Sequence, residues 1–267
     1  MIFQLPEVPL SRAMPLLRFG TVLGFLLALV ALPASAAENN THSIPPYTAS
    51  YEATALGNTL KARITLNHED VQTRMAMDAH VSGFLRLLGR FELSREALMN
   101  RQNGELQLAR SRSQQITPRR ERKVETRLDR DRGLAIGTID NEHFQLEVPD
   151  QTLDFLGSLY LIMQRLERSE LTRADNRSTV QVLERDRLRE YRFEYGERET
   201  MDSPIGRLET VRIDRRTDDS DVALSAWFAP ELHHVPVRFD YEADGRVFEL
   251  NLTQLEWHDP IIDLTDE

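Results

Sequence analysis

Seven histidines, no cysteine and a run crowded with arginine are this chain's raw material for chemistry. Between Arg110 and Arg132 stand nine basic residues and four acids, Glu121, Glu125, Asp129 and Asp131. Guanidinium forks meet carboxylate and phosphate oxygens two at a time. Read as strands, the run puts Arg110 and Arg112 on one face, and Arg120 and Arg122 on one face. Arg110, Arg112, Arg119, Arg120 and Arg122 are therefore the candidate contact for an anionic ligand, such as lipid head groups or an acidic envelope polymer. The competing reading is a solvated strand pair whose charges are balanced by neighbouring acids.

His233, His234 and His258 raise the question of a metal. Adjacent residues on a strand point to opposite faces, so the pair is not expected to chelate one ion, and no H-E-x-x-H spacing is present. The absence of cysteine excludes disulfides, thiolate metal sites and cysteine nucleophiles together. There is no G-x-S-x-G and no P-loop. Acids are so abundant that no pair stands out as hydrolytic. The sequence assigns no catalytic residue, no metal and no cofactor.

The elements that must carry these residues show a two-residue rhythm. Tyr47, Ala49, Tyr51, Ala53 and Ala55 alternate with polar residues, then Leu60, Ala62, Ile64 and Leu66, then Met75, Met77, Ala79 and Val81. Such alternation marks antiparallel strands with one face buried and one wet. Residues 84–99 read as a loop leading into a strand. Asn103-Gly104 and Asp244-Gly245 are hairpin signals, because both residue types tolerate positive φ. Further short strands are expected at Leu134–Ile139, His143–Val148, Thr179–Leu183, Tyr191–Tyr195, Leu208–Ile213, Val222–Phe228, Val235–Tyr241 and Val247–Leu255. One helix is expected around 151–168, capped by Asp150, with Leu153, Leu156, Leu159, Tyr160, Ile162, Met163 and Leu166 spread over a wide apolar face. Arg165 and Arg168 suit its C-terminal dipole.

The expected fold is mainly β: one strongly curved antiparallel sheet, a half-barrel or open barrel, packed on that helix. A groove between them would be lined by Met75, Met77, Leu156, Tyr160 and Met163, although methionines on such a face are as readily plain core.

The N-terminal residues point to export. Arg12 and Arg18 precede an apolar run, Phe19–Leu32, that ends at Pro33 and Ala34-Ser35-Ala36. A basic start, a short apolar core and an A-x-A site make residues 1–36 an expected cleavable signal, with Met14 an alternative start. The apolar run is shorter than the roughly 20 residues a spanning helix needs. Removing it takes away two arginines and Glu7, so the net charge of −10 becomes −11 over 231 residues. That balance disfavours nucleic acid as a partner. Expected divisions are a flexible lead-in over 37–45, one β-rich domain over 46–258 and an acidic tail over 259–267. The expected location is the periplasm, with no membrane span after cleavage.

The C-terminal strands carry a specific string, W-F-A-P-E-L-H-H-V-P-V-R at 227–238. Before it come S-P-I-G at 203–206, the apolar helix, and P-Y-T-A-S-Y-E-A near the expected mature start. In that order these features resemble the bacterial exported family catalogued as domain of unknown function 3108, over about Pro46 to Trp257. The chain departs from the pattern at Gly157, where a small polar residue is more typical, and in its arginine content over 110–132. The resemblance implies an exported, β-stranded protein and carries no catalytic residue with it. Within the string, Trp227, Pro230, Pro236 and Arg238 read as structural: Pro230 starts a turn, and Pro236 marks a strand start or an edge strand.

Three functions remain in order. The first is a non-catalytic periplasmic binding or assembly module for an apolar or anionic envelope component, a lipid for instance. The second is an interaction module that pairs an exposed strand edge with a periplasmic protein. A hydrolase without a recognisable motif comes third.

Overall fold

The computed structural model describes residues 44–258, apart from 56, 70, 85–86, 88, 103, 218–222 and 244–245. The expected signal, the lead-in as far as residue 43 and the acidic tail lie outside the described residues. Ile44 is fully buried and its carbonyl accepts from His68 Nε2 at 2.9 Å, so the lead-in is anchored at that point.

Eight strands come first: β1 (Tyr47–Ala55), β2 (Asn58–Glu69), β3 (Gln72–Gly83), β4 (Glu92–Gln102), β5 (Glu105–Thr117), β6 (Arg120–Asp129), β7 (Leu134–Ile139) and β8 (Glu142–Glu147). One helix follows, α1 (Phe155–Glu167). Six strands complete the chain: β9 (Arg177–Glu184), β10 (Arg187–Ser203), β11 (Gly206–Arg216), β12 (Ala223–Ala229), β13 (Val235–Ala243) and β14 (Arg246–Trp257). All fourteen form one antiparallel sheet in the order β8-β7-β6-β5-β4-β3-β2-β1-β14-β13-β12-β11-β10-β9. Every neighbour is the next strand in sequence except at β1 and β14, which join two meanders through pairs such as Tyr51 with Leu252.

The alternation sets the inner face. Tyr47, Ala49 and Tyr51 face Leu66, Ile64 and Ala62 across the β1–β2 ladder, and all six are buried. Their strand neighbours Lys61 and Glu52 pair on the outer face at 2.8 Å. The inner face wraps α1, which is buried nearly all round, as expected of a helix enclosed by apolar surface.

The sheet also rolls past closure. On the inner face of β6–β8, Leu128, Ala135 and Leu146 pack against Leu183 and Leu188. Leu183 points away from Val182, which belongs to the main core. The outer face of β9 is therefore covered by the inner face of the opposite end of the sheet, and the two ends overlap in a seam. The crossover before α1 stitches them: Val148 N–H donates to Gly133, and Leu153 exchanges backbone bonds with Gln181 and Leu183 at 3.0 and 2.7 Å. Arg130 clamps the crossover from below, donating to the carbonyls of Leu108, Asp150 and Thr152.

That stitch corrects the helix start. Leu153 is held extended on β9, so the helix begins at Phe155 and its cap is Asp154, not Asp150. The Asp154 carboxylate accepts the Gly157 N–H at 2.8 Å. At Gly157 a Cβ would come 3.2 Å from that carboxylate, a tight contact. Strand limits mostly run longer than expected, above all β10. A bulge between Tyr195 and Arg198 lets this 17-residue strand bend and continue.

Candidate functional site

At the end of the barrel where β3 and β13 finish, an apolar cavity of about 460 Å3 lies above the N-terminus of α1. Its floor is Phe155. Ala53, Leu60, Ala62, Ile64, Met77 and Val81, with the polar Asn58, wall one side, and Leu224, Phe239, Tyr241, Phe248 and Leu250 the other. These are inner-face positions in register: Leu60 pairs with both Ala53 and Val81, Phe239 with Leu250, and Tyr241 with Phe248. The cavity opens to water at its rim, where Phe248 is 46% exposed. Tyr241, paired with it across the β13–β14 ladder, is also exposed there.

Of the expected groove residues, Met77 alone lines this space. Met75, Leu156, Tyr160 and Met163 are fully buried and belong to the packed core beside the helix. The reason is depth: Met75 lies one inner-face step further from the rim, where α1 fills the barrel.

A second cleft, of about 300 Å3, opens at the seam between β4–β6 and β9–β10. Here the structure divides the expected arginine patch. Between Leu98–Arg110 and Met99–Leu108, β5 carries one extra residue, Ala109. A one-residue bulge shifts the phase of the strand. Leu106 and Leu108 point inward before it, and Ser111 and Ser113 point inward after it, so Arg110 and Arg112 face out and are exposed. Arg122 pairs with Gln115 and faces in beside buried Val124. Arg120 is tied to Asp140 at 2.8 Å, and Arg119 lies in the exposed turn between β5 and β6. The five residues do not form one patch.

Of the five, Arg112 and Arg122 line the cleft, together with Arg95, Ser111, Ser113, Gln115, Asp154, Glu184, Arg185 and Tyr191. Burial holds the Asp154 carboxyl above its ordinary value, against the opposing hydrogen bonds from Ser111 (2.6 Å) and Gly157. The Arg95 guanidinium lies 5.0 Å from the centre of the Phe155 ring. Arg95 was not expected from the sequence. Only the alternation with Ala97 and Met99 could have placed it on the inner face.

The residues of the C-terminal string lie among β11–β14 and the turn between β12 and β13. Trp227 lies between Arg212 and Arg238, at 5.4 and 4.9 Å, and its Nε1 donates to Glu199. Arg238 is held in turn by both oxygens of Asp240 at 2.6 Å and by Glu249. Pro230 opens the 3-10 turn Pro230–Leu232. Pro236 stands at the second position of β13, an interior strand, opposite a bulge between Trp227 and Phe228. Of the two roles expected for it, the strand start holds and the edge strand does not. The bulge leaves no ladder bond for the missing N–H to make.

His233 and His234 correct a premise. They are not on a strand: both adopt left-handed backbone conformations after the 3-10 turn, with φ of 49° and 56°. Both Nδ1 atoms therefore reach one carboxylate, Glu167, at 3.1 and 2.7 Å. Burial lowers the His234 pKa below its ordinary value despite Glu167. For Glu167, burial opposes the charge, but the hydrogen bonds from His234 and His233 prevail and lower its pKa. Among the described residues no group of three His, Asp or Glu side chains is arranged to hold a metal ion.

Residues 46–250 match the family described as protein of unknown function DUF3108. Comparison with curated proteins gives no match. Among solved structures, the chain is similar to a β-barrel-like protein of domain of unknown function DUF1849 from Brucella abortus. That likeness has a TM-score of 0.56 at 9% identity, covering 81% of this chain and 99% of the other. It is a likeness of fold, in agreement with the curved sheet on one helix.

Proposed function

We propose that this chain, which belongs to the DUF3108 family, is a periplasmic binding module without catalytic chemistry, and that it holds the apolar part of an envelope component above α1. The observation that carries this reading is the cavity of about 460 Å3, walled by aliphatic and aromatic side chains and open past an apolar rim. Ligand sites typically occupy about 300–1,000 Å3 and are lined mainly by such groups. Tyr241 and Phe248, exposed side by side at the mouth, leave apolar surface in water where a ligand would enter. Met77 supplies an adaptable wall. The expected signal over residues 1–36 supports the periplasmic location. Strand-edge pairing has less support: β8 exposes Glu142 and Glu147 on one edge, charges that discourage strand addition, and Leu153 occupies part of the other.

The test is displacement of the uncharged fluorophore N-phenyl-1-naphthylamine from the purified protein. Ala62→Phe extends a ring into the cavity from β2. It is expected to weaken binding at least about tenfold while the melting temperature holds or rises, because the space filled is empty rather than packed. No binding to the wild type, or equal binding to the variant, would overturn the reading.

A further inference from the structure

Resting on that reading, we propose that the seam cleft is the head-group site of the same ligand, and that the ligand is an anionic amphiphile: an alkyl chain bearing a carboxylate or phosphate. The two spaces adjoin across one side chain, since Phe155 is a wall of both. A molecule with its chain in the apolar cavity meets the seam cleft on the other side of that ring.

The charges in the cleft favour an anion. Asp154 is already engaged by Gly157 N–H and by the Ser111 hydroxyl. Glu184 accepts from Tyr191 and pairs with Arg189 at 3.0 Å. Arg95 and Arg122 are less committed: Arg95 attracts Asp154 and Arg122 attracts Asp140 without an ion pair at contact distance among the described residues, and Arg122 Nε, like those of Arg130 and Arg215, is buried without a hydrogen-bond partner. A buried guanidinium N–H left unbonded is expensive, and an anionic oxygen is the partner that best removes the cost. What sets Arg95 and Arg122 apart is their place, since both line one cleft in a chain where acids outnumber bases 43 to 33. Elsewhere Arg74, Arg90, Arg120, Arg212 and Arg238 each hold a carboxylate. Ser113 and Gln115, beside Arg122 on the cleft wall, add neutral donors suited to the remaining oxygens.

Four probes separate the possibilities by calorimetry at low ionic strength: palmitate, hexadecyl phosphate, hexadecanol and inorganic phosphate. The wild type should bind the two anionic amphiphiles at least about tenfold more tightly than hexadecanol, and added salt should erode that preference. Arg95→Gln with Arg122→Gln should remove the preference and leave hexadecanol within about twofold, whereas Arg95→Lys with Arg122→Lys should restore part of it. If hexadecanol binds the wild type as tightly as palmitate, the head-group site is wrong and the apolar cavity stands. If inorganic phosphate binds as tightly as hexadecyl phosphate, the cleft serves free anion and the amphiphile is wrong. If no long-chain probe binds, both readings fail. The salt and alcohol comparisons on the wild type decide the matter even where the double variant folds poorly.

Discussion

At the scale of single residues, the chain's polar chemistry is spent mostly on holding turns and strand ends in place. His234 illustrates the consequence for acid tolerance. Its folded pKa lies below 6.5, so the unfolded chain binds the proton more readily, and stability is lost as pH falls through 6.5 towards the lower folded value. Glu167, lowered below 4.5, acts in the same sense at lower pH. Asp154, raised above 3.8, acts in the opposite sense, because protonation relieves a buried charge. Melting temperature should therefore decline between pH 7.5 and 5.5, and His234→Asn, which tolerates the left-handed backbone, should flatten that decline. An equally steep decline in the variant would assign the acid sensitivity to other groups. None of this was legible beforehand. Asp140-Asn141 also takes positive φ at two consecutive positions, but those residue types favour it, whereas histidines inside an alternating stretch give no such signal, and without it the pair cannot share a carboxylate.

At the scale of elements, the strands were readable where the inner row is unbroken, as Leu60, Ala62, Ile64 and Leu66 are in β2. The bulge at Ala109 was not, since an alanine in an alternating strand signals nothing. It reverses the face of every residue after it, which is why Arg110 and Arg112 point to water while Ser111 reaches Asp154. The start of α1 was hidden for a related reason. Leu153 continues the helical spacing in sequence but is claimed by β9. Asp154 therefore carries the cap, and Asp154→Ala should cost about 1–2 kcal/mol in urea unfolding, with most of the loss recovered in Asp154→Asn, which keeps an acceptor for Gly157 N–H. The apolar cavity shows the limit most clearly. Ala53 and Phe239 obey the same alternation as Tyr51 and Ala226, and nothing in the pattern tells a wall from a filled core.

At the scale of the whole described fold, the overlap of the two sheet ends rests on few contacts. The cluster of Ala135, Val148 and Leu183 is small and separate from the core around α1. Leu183→Ala should cost about 2 kcal/mol, at the lower end for a buried leucine, and the cost should be local. Hydrogen exchange should quicken in β7 and β8 and stay unchanged in β1 and β2, since weakly held units open independently of the core. Uniform quickening would mean that the seam is integral to global stability.

The meeting of the first and last strands in mid-sheet has a temporal consequence. Until β14 has been synthesised, a growing polypeptide leaves one margin of β1 bare, and the two halves have no ladder between them. Pairings so distant along the chain form slowly. Any early arrest of translation would thus strand a sticky, half-zipped intermediate, a hazard that a chain threaded unfolded across a membrane would meet only on the far side.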